Sequence, residues 1–179
     1  MSLTYRIISG DAVDITERLD KGLIDFALLL EPVDISKYSC LKIPVKDVWG
    51  VLMRRDCPLA KMKSISPKDL HDMPLIVSRQ ALDGSELTQW LQNGSEQLNI
   101  VSTYNLVYNA SLMVGEGLGV VLCLDIIINV SGDSSLCFRQ HKPRLEVGLS
   151  LVWKKYQVFS KAAEKFILKM QESVSSRRG

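Results

Sequence analysis

No stretch of this sequence is apolar for long enough to cross a bilayer. The longest, Leu118 to Val130, is interrupted by Asp125 and falls short of the roughly 20 residues a spanning helix needs. The opening Met1-Ser2-Leu3 runs straight into a strand-like segment, with no basic region or apolar core of a secretory leader, so a cytoplasmic chain without membrane contact is expected. The four cysteines, Cys40, Cys57, Cys123 and Cys137, make no C-x-x-C pair, and the two histidines lie far from them, which argues against zinc or an iron–sulfur cluster. Reduced thiols in apolar surroundings are expected instead. Charge of one sign is also missing: 22 basic and 20 acidic residues are spread along the chain, without the basic stripe of a duplex-binding module. No serine stands in G-x-S-x-G, and two histidines leave little for a nucleophile–base pair, so an enzyme is not expected. Gly115-x-Gly117-x-Gly119 follows a helical pattern and leads into a strand, the reverse of a dinucleotide fingerprint, and no cofactor is expected.

What is present is an ordinary globular chain, 46% hydrophobic and 23% charged. Thr4 to Ile8 alternates as a strand does, Asp11 suits an N-cap, and Ile15, Leu19 and Leu23 form one helical stripe that Gly22 ends. Ile24 to Leu30 is nearly all apolar apart from Asp25, as expected of a strand buried on both faces of a parallel sheet. These elements make one β-α-β unit. Leu41–Val45 and Val48–Met53 read as two short strands, and Pro67–Leu70 as one helical turn capped by Ser66. A second series follows: strand Pro74–Val77, helix Gly84–Leu91, strand Asn99–Ser102, a helix capped by Asn105 and running to Glu116, and strand Val120–Leu122. A strand from Val147 to Trp153 and a helix from about Ser160 to Glu172 close the chain. Two such series predict an α/β fold of two Rossmann-like lobes. The strands near 45–53 and 147–153 would cross between them, and a small molecule would sit where strand ends converge.

Several segments resemble the effector-binding domain of LysR-type bacterial transcription regulators. Asp11 to Leu28 is similar to "L-x-x-G-x-L-D" running into an apolar strand, with Ile24 in place of the second leucine. Arg54 to Ala60 is similar to "H-P-L-A" with Cys57 in place of the histidine. Ser66 to Val77, Val114 to Val120 ("V-x-x-G-x-G") and Leu151 to Lys155 ("L-x-W") complete the set in the family's order. The resemblance covers about Ser9 to Met170. It implies a periplasmic-binding-protein type II-like fold with residues 3–47 and 150–179 in one lobe and 48–149 in the other. It also implies a homodimer, and a winged helix-turn-helix that is absent from this chain. The first lobe would lack one β-α unit at its start.

On that resemblance, an effector held between the lobes would meet three groups of residues. The turn Ser9-Gly10-Asp11 offers backbone N–H groups to an anion, although Asp11 as a cap would partly cancel that preference. Ser78, Arg79 and Gln80, with Gly84 and Ser85, lie between a strand end and a helix start, where Arg79 could grip a carboxylate or simply be a solvated loop arginine. Tyr104 and Asn105, with Tyr108 one turn on, form the third group, in which core packing is the expected role of Tyr108. Leu30 and Glu31 would form the opposite wall. A carboxylate effector therefore depends on Arg79. A periplasmic-type solute-binding protein is the alternative reading. Trp90 is open to two readings, as core or as subunit interface.

Overall fold

Helix α1 (Ala12–Asp20) starts where the sequence supplies an acceptor: the Asp11 carboxylate takes the Asp14 amide at 3.0 Å. It stops at Gly22, whose φ of +69° suits a residue without Cβ. There Gly22 N–H donates to the Leu19 carbonyl and Leu23 N–H to that of Arg18, the paired bonds of a Schellman end. A computed structural model of the chain describes residues 4–34, 36–82, 86–92 and 98–176. The chain divides into two compact units, 1–46 with 147–179, and 47–146, and passes from one to the other inside strand β2 (Tyr38–Arg54) and near the start of strand β8 (Glu146–Lys154).

In the first unit, strand β1 (Ala27–Leu30) pairs antiparallel with β8 through Ala27–Val152 to Leu30–Leu149. Ile15 and Leu19 of α1 pack with Ala27, Leu29, Tyr38 and Val152 into one core cluster. Burying a leucine such as Leu19 is worth about 1.5–3 kcal/mol. The Tyr38 hydroxyl donates to Asp20 at 2.8 Å, and burial lifts its pKa to about 12. Helix α4 (Lys161–Ser176) is anchored by the Phe26 ring, which meets Phe159 and Phe166 at 5.0 Å each.

Three expectations fail here, each for a physical reason. Thr4–Ile8 is not a strand: no sheet partner adjoins it among the described residues, and Tyr5 and Ile7 stay about 80% exposed, with only Ile8 touching the core. Strand β1 is not a doubly buried parallel strand. It is antiparallel to β8, α1 packs over the side that carries Ala27 and Leu29, and Leu28 on the other side is exposed. The two strands expected at 41–45 and 48–53 are one, because Lys46 and Asp47 can continue an extended strand that has a solvated face.

The second unit is a mixed sheet. Strand β4 (Leu75–Ser78) lies parallel between strand β5 (Ile100–Tyr104) and strand β6 (Val120–Leu124). Strand β2 joins β6 antiparallel, then strand β7 (Leu136–His141), and the short strand β3 (Ser64–Ile65) flanks β7. Neither β3 nor β7 was evident from the sequence pattern. Helix α2 (Glu86–Gln92) follows β4, and helix α3 (Val107–Gly115) follows β5 and ends in a second Schellman pair at Gly117, φ +78°. The described part of α2 begins at Glu86; the expected start at Gly84 lies outside the described residues. The turn Pro67–Leu70 forms as expected, with Ser66 N–H and Oγ–H both donating to Asp69. Gly119, φ +158°, runs so close to β4 that a Cβ there would stand 2.5 Å from the Pro74 carbonyl oxygen.

Trp90 resolves to core: it is 5% exposed and stacks on His141 with ring centroids 3.8 Å apart. Among the described residues neither His141 nitrogen has a hydrogen-bond partner, and burial pushes its pKa from 6.5 down to about 3, so the ring is neutral.

Gly119→Ala should cost about 2 kcal/mol or more in urea unfolding, since strain and a backbone clash coincide. Gly22→Ala, with open space around it, should cost about 1–2 kcal/mol. Because His141 has a depressed folded pKa, its contribution to stability is fully present above pH 6.5 and is lost as pH falls towards 3, by on the order of a few kcal/mol. His141→Phe should keep the stack and flatten that part of the stability–pH curve. An identical curve for the variant would place the acid sensitivity elsewhere.

Candidate functional site

Three parallel strands bring their carboxyl ends to one edge of the second unit's sheet. Ser78 of β4 pairs with Tyr104 of β5, and the Arg79 amide donates to the Tyr104 carbonyl at 3.0 Å, extending the ladder one residue past β4. The Arg79 and Gln80 side chains are then exposed, Gln80 opening a 3₁₀ turn that runs to Leu82. Tyr104 turns inward. Its ring packs on the Leu52–Ile76–Val121 core, and its hydroxyl donates to the Leu122 carbonyl at 2.8 Å. Desolvation raises its pKa well above the usual tyrosine range, so this phenol stays protonated and structural. Asn105 is not the cap of α3. The helix starts one residue later, at Val107, and Leu106 holds the N-cap position without a side-chain bond, leaving Asn105 exposed. Tyr108, expected in the core, is 60% exposed, because the inward face of α3 is taken by Val107, Ala110 and Val114.

Beyond β6, Asp125 accepts the Val48 amide at 2.8 Å. The nearby Asp47 carboxyl has a raised pKa, through burial first and the Asp125 charge second. This edge therefore combines one guanidinium with two carboxyl groups. It suits a polar ligand more than a strongly anionic one.

The first unit presents the other candidates. Ser9 and Gly10 are exposed ahead of α1, but the Asp11 carboxylate already occupies the helix terminus, and Asp14 adds a second carboxylate to the first turn. That leaves little attraction for a further anion. Leu30 ends β1, and the Glu31 amide donates to the Gly148 carbonyl at 2.9 Å. The Glu31 carboxylate accepts the Ser150 hydroxyl at 2.8 Å, and Lys42 Nζ stands 3.6 Å from the same oxygen. Lys42, Gly148 and Ser150 were missed in the sequence, although a glycine inside the Val147–Trp153 strand is a signal of close approach.

A model of the LysR substrate binding domain family matches residues 2–175. The chain belongs to that family. Among its relatives, an uncharacterized HTH-type transcriptional regulator, YvbU of Bacillus subtilis (strain 168), is 32% identical over 113 residues, which is 63% of this chain and 37% of the relative. The crystal structure of HinK, a LysR family transcriptional regulator from Pseudomonas aeruginosa, superposes with a TM-score of 0.73 at 20% identity, over 94% of this chain and 60% of that one. The CcmR regulatory domain of Synechocystis PCC6803, solved in complex with 2-PG, gives 0.66 at 16%, over 90% and 78%. The chain thus spans less than two thirds of the lengths of YvbU and HinK.

Within this LysR substrate binding domain, the structure brings Ser78, Arg79, Gln80, Tyr104 and Asn105 to one sheet edge, with Tyr108 on the helix that follows β5. Leu30 and Glu31 stand together in the other unit, and Ser9, Gly10 and Asp11 adjoin α1. Ser85 lies outside the described residues. Among the described residues no group of three or more His, Cys, Asp or Glu side chains could hold a metal ion, and no helix is long and apolar enough to cross a membrane. The four cysteines are free: Cys40 is exposed, Cys57 partly so, and Cys123 and Cys137 are buried with raised pKa values.

Tyr104→Phe should lower stability by about 1 kcal/mol through the lost bond to Leu122, as read by urea unfolding. Ligand affinity should be unchanged. A large affinity loss with normal stability would instead put the phenol in the site.

Proposed function

We propose that this chain is the sensing domain of a bacterial transcription regulator, binding a small-molecule effector and acting through a homodimer on a DNA-binding region of the longer protein, in the cytoplasm. The observation that carries the reading is the family match across nearly the whole chain. The CcmR regulatory domain solved with 2-PG supports a small-molecule ligand for a domain of this fold. Lobes of 3–47 with 150–179, and of 48–149, are the proposed division. The candidate contacts are Ser9, Gly10, Asp11, Leu30 and Glu31 in one lobe and Ser78, Arg79, Gln80, Ser85, Tyr104, Asn105 and Tyr108 in the other. Tyr104 would contribute through its backbone, given where its ring is packed. A free-standing solute-binding protein is disfavoured by the family match. The ligand acts by differential affinity for two arrangements of the protein, so tight binding alone would not make it an effector.

A thermal-shift screen of small carboxylates, amino acids and aromatic acids tests the reading. A true ligand at about a hundred times its Kd should add roughly 2.7 kcal/mol to unfolding. Arg79→Ala should weaken any anionic ligand about tenfold or more. Unchanged affinity would remove Arg79 from the site, and a screen with no stabilising compound would contradict ligand sensing.

A further inference from the structure

The first unit holds a depression of 430 Å³, within the roughly 300–1,000 Å³ span of small-molecule sites. Strand alternation sets Lys42, Pro44 and Lys46 on one face of β2, all exposed. Gly148 lines it from β8. A Cβ at Gly148 would stand 2.5 Å from Glu31 Oε2, so only glycine lets this carboxylate lie where it does. Ser150, two residues on and on the same face, holds the other oxygen at 2.8 Å. Lys42 Nζ lies 3.6 Å from that oxygen on a largely exposed side chain. The result is a positioned carboxylate and an adaptable ammonium side by side, with Pro44 as apolar lining.

We propose that this depression binds a free α-amino acid with an aliphatic side chain. Its ammonium meets Glu31, its carboxylate meets Lys42, and its side chain lies on Pro44. A simple carboxylate would face the Glu31 charge, and a simple amine would face that of Lys42. Two opposite charges 3.6 Å apart match groups carried on a single carbon atom, and not the distant ends of an ω-amino acid. The inference rests on the sensing function proposed above and deepens it by naming the ligand class.

Calorimetric titration of the chain with L-leucine, isocaproate, isoamylamine and ε-aminocaproate tests it. L-leucine should bind at one site, with the other three about tenfold weaker or worse. Glu31→Gln and Gly148→Ala should each weaken L-leucine by about tenfold or more, with circular dichroism and thermal melting reporting that the variants remain folded. Equal binding of isocaproate, or L-leucine affinity untouched by Glu31→Gln, would overturn the inference, as would no heat with L-leucine. A carboxylate that binds, depends on Arg79 and ignores Glu31→Gln would overturn it while leaving the sensing function standing. If no compound of any class binds, both fall.

Discussion

The parallel pairing of β4 with β5 on one side and β6 on the other is what the second unit's candidate site depends on. Parallel strands deliver all their carboxyl ends to one edge, so Ser78–Arg79, Tyr104–Asn105 and Asp125 arrive together although they are far apart in sequence. Two further contacts hold that edge in register. The Arg79 amide bonds the Tyr104 carbonyl across the end of the β4–β5 ladder, and the Tyr104 hydroxyl spans to Leu122 of β6. With polar groups satisfied beneath, the side chains above can be exposed without loosening the core.

The first unit solves the same problem differently. Its strands β1 and β8 are antiparallel, and a charged group is positioned by an absent side chain: Gly148 makes room for Glu31, and Ser150 fixes it. A half-buried carboxylate needs such partners, because desolvating it without a hydrogen bond is costly. The two units therefore offer different chemistry, a guanidinium beside two carboxyl groups in one and a carboxylate beside an ammonium in the other.

Local signals in the sequence carried through where the cause was local. Asp11, Gly22, Ser66 and Gly117 each act within four residues of themselves, and each does what its type predicts. The LysR motifs, spread over most of the chain, pointed to the fold. What depended on distant partners was not legible. Thr4–Ile8 has the alternation of a strand, but a strand needs a neighbour. The two tyrosines four residues apart exchanged roles, because which ring faces the core is decided by β6 and α3 together. Glu31 could be seen as a wall residue, but Ser150, 119 positions away, gave no hint of holding it. The strand end that carries Ser78 and Arg79 was legible, whereas the packing of Tyr104 and Tyr108 was not.

Backbone amide shifts of this chain, followed by NMR as a stabilising small molecule is titrated in, test the central claim most directly. If these strand ends and the Glu31 depression form ligand sites, the largest shifts fall at Ser78–Gln80, Asn105 and Tyr108, or at Glu31, Lys42 and Gly148. Saturation that leaves all of these unmoved, with shifts confined to α4 or to Lys61–Lys63, would contradict it.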